Sequence, residues 1–168
     1  GNLSKTTING NAGDDDIGIT AAITIDASTT YGGAGDDTIY SGATDTTITD
    51  STIRADDGDD TIDLQLDAST DSLINGNAGA DNIEINEGTV LSSGMTVSGG
   101  EGNDTITTIN GTNVVSVYTI NGNGGDDVIT IDGGTNDANF NVLAGSGDDT
   151  IAIGAADEAG NLSVIASE

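Results

Sequence analysis

Seven times along the chain an aspartate stands two residues after a glycine and two before an isoleucine: Asp15, Asp37, Asp60, Asp81, Asp104, Asp127 and Asp149. A second acid precedes most of them: Asp14, Asp36, Asp59, Asp126 and Asp148, with Ala80 and Asn103 in the other two copies. Carboxylates and main-chain carbonyls at regular spacing are the oxygen donors that a hard divalent cation takes. The chain offers little other chemistry. It has no histidine and no cysteine, so thiolate and imidazole metal sites and the familiar nucleophile–base pairs are absent. Lys5 and Arg54 are its two bases against 29 acids, a formal charge of -27.

The acids belong to an eight-residue block that recurs at 10–17, 32–39, 55–62, 76–83, 99–106, 122–129 and 144–151. Its fourth slot is always glycine, at Gly13, Gly35, Gly58, Gly79, Gly102, Gly125 and Gly147, and its eighth always isoleucine. The glycines are spaced by 21 to 23 residues, a period that signals a stack of like units. Glycine suits a tight turn with bare backbone, and isoleucine opens a strand. An apolar row runs two residues before each block: Ile8, Ile53, Ile74, Val97, Ile120, Val142 and then Val164, with Thr30 as the exception. Another follows the isoleucine by two: Ile19, Leu64, Ile85, Ile131 and Ile153. Period-two alternation on both sides brackets the turn with short strands, and the variable segment between blocks forms a third strand or a loop.

The reading is an all-β, right-handed parallel β-solenoid of seven full coils over a single domain, 1–168, about 35 Å long. High charge and few aromatics would suit disorder, but 34% hydrophobic residues in alternating runs argue for a sheet. Stacking at about 4.8 Å aligns the isoleucines into interior ladders, and it also aligns the aspartates. Two carboxylates at that distance repel by about 1 kcal/mol even in water. Two bases cannot neutralise seven such positions, so the column points to a divalent ion between successive turns. Calcium fits, because it accepts six to eight oxygens in loose geometry, whereas magnesium resists dehydration. An aspartate capping its own turn is the alternative for any single copy.

At these residues the chain resembles the RTX proteins, whose nonapeptide calcium repeat reads GGxGxDxU. The blocks at 32–39 and 99–106 fit that pattern fully, and the others replace an earlier glycine with Asn, Asp, Ala or Ser. RTX repeats run in tandem along both edges of a coil, whereas here one block is followed by 13 to 15 other residues, giving one calcium-binding edge. The resemblance implies about six inter-coil calcium sites, each taking the sixth-slot aspartate of two adjacent turns and carbonyls of the turns at the seven fourth-slot glycines. It also implies bacterial-type secretion and folding on calcium outside the cell.

The functional expectation is a structural protein of an extracellular or cell-surface assembly: a surface layer, a filament or an adhesin stalk. Its expected partners are copies of itself stacked end to end, or the rest of a longer parent chain, and a cell-surface polysaccharide. Nucleic acid needs a basic footprint that this chain lacks, and no apolar run approaches the roughly 20 residues of a membrane span. The chain opens on Gly1 without a signal pattern, which implies processing, an excerpt, or export by another route. Three other roles stand beside this one. One is the export and folding domain of a larger secreted enzyme or toxin. Another is an ice- or sugar-binding array on the outward threonines Thr7, Thr29, Thr52, Thr96 and Thr119, interrupted by Leu73, Asn141 and Ser163. The last, a polysaccharide lyase, needs a base where only Lys5 and Arg54 exist, so no enzymatic role is expected.

Overall fold

The computed structural model describes residues 2–88, 93–110, 117–133, 139–154 and 162–165. Among the described residues, seventeen strands form one continuous parallel sheet wound into a β-solenoid of about six turns, against the seven that the repeats predict. One face of the coil is made of strands that lead into the repeated block: Thr7–Ala12, Thr29–Ala34, Thr52–Asp57, Leu73–Ala78, Ser93–Glu101, Val117–Gly124, Asn139–Ser146 and Leu162–Ile165. The strands that leave it make the second: Asp16–Ile19, Thr38–Thr49, Thr61–Thr70, Asn82–Glu87, Thr105–Asn110, Val128–Gly133 and Thr150–Ile153. A third face is built by Leu3–Ser4, Thr24–Asp26 and the later halves of Thr38–Thr49 and Thr61–Thr70.

The sequence periodicity sets the register. Ile17, Ile39, Ile62, Ile83, Ile106, Ile129 and Ile151 stack in one unbroken row. The row before the block runs Ile8, Thr30, Ile53, Ile74, Val97, Ile120, Val142, Val164, so Thr30 is the polar member and is itself buried. The row after the isoleucines includes Ser41 and Thr108 at the copies where the apolar pattern lapses. Buried isoleucines at about 1.5–3 kcal/mol each make these ladders the main cohesion of the rod. The outward threonine row also forms, broken at Leu73, Asn141 and Ser163. The end of the chain pairs as its sequence implies, Val164 on Val142 and Ile165 on Leu143, while 166–168 and the side chains of Tyr118 and Phe140 lie outside the described residues.

The corner opposite the block is held by a serine column. Ser51 Oγ accepts from Ser28 N at 3.1 Å and donates to Thr49 O at 2.7 Å, and Ser72 repeats the pattern below Ser51. Ala27, Asp50 and Asp71, just before these serines, all take φ of 47°. After Ser72 the column continues as Met95, and the serine corner stops.

Candidate functional site

Each block folds into the same turn because two of its slots need left-handed backbone. The second slot does so in every copy, with φ of 76–82° at Asn11, Asp56, Asn77 and Asn123 and 114–131° at Gly33, Gly100 and Gly145. Asn and Asp tolerate the lower range, so they replace glycine there freely. The block at 55–62, with Ala55, Asp56 and Asp57 ahead of its turn, therefore keeps the common geometry. The fourth slot lies further out, at 105–140° from Gly13 to Gly147, which is glycine territory. A methyl on Gly58, Gly79 or Gly102 would also overlap the fourth-slot carbonyl of the preceding coil. Glycine is invariant here because a Cβ has neither conformation nor room.

The turn aims the sixth-slot aspartates inward. Asp37, Asp60, Asp81, Asp104 and Asp127 are each 1–2% exposed. One oxygen of each is used. Asp37 Oδ1 accepts from Asp15 N at 2.7 Å, Asp81 Oδ1 from Asp60 N at 2.9 Å, Asp104 Oδ1 from Asp81 N at 2.9 Å, and Asp149 Oδ1 from Asp127 N at 3.0 Å. The same bond joins Asp60 to Asp37 and Asp127 to Asp104, so each carboxylate reaches back to the coil before it. The other oxygen has no partner: Oδ2 of Asp15, Asp37, Asp60, Asp81, Asp104 and Asp127 is buried and unbonded. In five copies it lies against the first-slot glycine, Gly10, Gly32, Gly76, Gly99 or Gly122, so closely that a Cβ there would overlap it.

Fifth-slot side chains form a second ladder that runs the other way. Asp14 Oδ1 accepts from Asp36 N, Asp36 from Asp59 N, Asp59 from Ala80 N, Asn103 from Asp126 N and Asp126 from Asp148 N, at 2.8–3.0 Å. These side chains are exposed. Their bond to the backbone of the next coil is not apparent from spacing alone. The signal was available: Asp and Asn share an oxygen that Ala80 lacks. The capping alternative is therefore realised between coils rather than within one turn, and it satisfies one oxygen of each buried aspartate.

Burial pushes the Asp60, Asp81 and Asp104 carboxyls up to about 6, against the lowering effect of the amide each accepts from, and neighbouring column charges push in the same direction as burial. Asp127 is raised for the same reasons. A buried carboxylate oxygen without a partner is costly unless it takes a proton or a cation. Among the described residues, no three His, Cys, Asp or Glu side chains converge on one point. A cation at this edge would therefore combine two stacked carboxylates with main-chain carbonyls, a donor set that suits calcium. All seven sixth-slot aspartates and all seven fourth-slot glycines thus fall on one edge of the rod, in register. Comparison with protein-family models, curated proteins and solved structures gives no match.

Proposed function

We propose that the chain is a calcium-dependent structural solenoid of an extracellular or cell-surface assembly, such as a surface layer, a filament or an adhesin stalk. The carrying observation is the row of six buried, unbonded Oδ2 atoms along one edge. Asp15, Asp37, Asp60, Asp81, Asp104, Asp127 and Asp149 would hold the ions between successive turns, with carbonyls from the turns at Gly13, Gly35, Gly58, Gly79, Gly102, Gly125 and Gly147. Bound calcium supplies the positive charge that two basic residues cannot. Ligands from two coils must meet before a site exists, so binding and folding are coupled. Such coupling suits a chain that crosses a membrane unfolded and meets millimolar calcium outside.

The proposal assigns no catalysis to the chain. Its partners are further coils, from a longer parent chain or a second copy. Val164 and Ile153 are 43–44% exposed at one end, although Val142 and Ile131 in their rows are buried. A further coil there would cover them.

Equilibrium dialysis against calcium at pH 7 should saturate near six ions per chain, one per step between the seven repeated blocks. Asp81→Asn keeps an oxygen for the Asp60 amide but removes a charge shared by two steps. It should bind one to two fewer ions while its metal-free form gains stability. Saturation below one ion per chain would end the proposal.

A further inference from the structure

Building on calcium occupancy of this edge, we infer that the inter-coil sites are unequal, and that the step from Ala80–Asp81 to Asn103–Asp104 binds calcium most weakly and opens first.

The fifth-slot ladder carries the inference. Five of its bonds are present, and they run from Asp14 to Ala80 and again from Asn103 to Asp148. Between these runs Ala80 presents no side-chain oxygen, so the Asn103 amide has no fifth-slot acceptor. The sixth-slot bond at the same step is intact, Asp81 N to Asp104 Oδ1 at 2.9 Å, and both Oδ2 atoms there are buried and unbonded. The step therefore keeps its inward carboxylates and loses one of its two zipper bonds.

Charge falls along the same line. The first two steps are flanked by fifth-slot carboxylates on both coils, Asp14 with Asp36 and Asp36 with Asp59. The third has Asp59 alone, the fourth has none, the fifth has Asp126 alone, and the last has Asp126 with Asp148. An exposed carboxylate within about a Debye length of a divalent ion strengthens its binding roughly two- to threefold after screening. The fourth step thus has the fewest fifth-slot carboxylates and is also the gap in the ladder. Ala80 leaves the ladder gap, and Ala80 together with Asn103 removes the charge.

Amide hydrogen exchange across a calcium titration tests this, with the full chain and with Ala80→Asp. At sub-saturating calcium, peptides covering 80–104 should remain in fast exchange after those covering 36–60 and 126–149 are protected. At saturation the Asn103 amide should still exchange at least tenfold faster than those of Asp36, Asp59, Asp126 and Asp148. Ala80→Asp should slow the Asn103 amide to the rate of the other ladder amides and bring protection of 80–104 to lower calcium. Protection that rises together along the whole rod, or an Ala80→Asp chain that exchanges like the parent, overturns the inference. A rod protected equally with and without calcium, yet fast at Asn103 and slowed there by Ala80→Asp, would overturn the calcium reading and leave the ladder gap standing.

Discussion

In excess chelator at pH 7 the protein should show little β-sheet by circular dichroism, and lowering the pH of that sample to about 5 should restore it. The buried carboxyls of Asp60, Asp81 and Asp104 sit at about 6 in the folded rod and near 3.8 when exposed. Between those values the folded state holds more protons than the unfolded one, so its stability falls as pH rises. The favourable contribution is complete below the unfolded value and is lost as pH passes through about 6. Asp127 adds to it in the same direction. Together these groups contribute on the order of a few kcal/mol, comparable with the whole stability of a small domain. Protons compete with calcium for the same oxygens, so the stability that the ion adds shrinks as pH falls. In millimolar calcium the sheet should be complete at both pH 7 and pH 5, with the calcium-dependent part large at pH 7 and small at pH 5. The two pH profiles therefore converge at low pH and separate as pH rises. Superimposable profiles, or a complete sheet at pH 8 in chelator, would show that the buried column needs no ion.

Gly79→Ala should cost about 4 kcal/mol or more and leave the chain unfolded at moderate calcium. Gly79 has φ of +135°, and a methyl there would overlap the Gly58 carbonyl oxygen of the preceding coil. The conflict is with backbone that is itself bonded, since Gly58 donates to Ala78 O at 2.8 Å, so no side chain can turn aside to relieve it. Asn77→Gly, two residues earlier, is the contrast. Asn77 lies at 82°, where glycine is equally at home. Its loss removes the bond from Nδ2 to Asp56 Oδ1 at 2.6 Å and should cost about 1 kcal/mol. Calcium-dependent urea unfolding of the two variants gives the comparison. If Gly79→Ala matched Asn77→Gly, the turn would be softer than its dihedral angles indicate.

The coil, its register and its inward rows were legible because each rests on a period that the sequence repeats. Ile39, Ile62, Ile83 and Ile106 occupy equivalent slots, and one register serves all of them. The inward aim of the sixth-slot aspartates follows from the same alternation, two residues before an inward isoleucine. What the sequence did not show was the division of labour between the two carboxylate oxygens, because one residue name covers both. The opposite directions of the two ladders were also hidden, since they depend on whether a side chain leans toward the coil before or after. The serine corner escaped notice for another reason. Ser28, Ser51 and Ser72 recur in only part of the chain, and serine is common in any loop. Asn in the second slot departs from the GGxGxDxU pattern, whereas the φ values show it to be an equivalent solution.

Every interior coil but the one bearing Ala80 lends one side-chain acceptor forward and one backward. Apart from that step, the ladders do not distinguish one coil's place from another's. Excising one whole unit, for instance 58–78 so that Asp57 joins Gly79, would restore the same turn across the seam. The rod behaves as a ruler whose length is set by copy number alone, and unequal recombination could lengthen or shorten it without any new residue being invented.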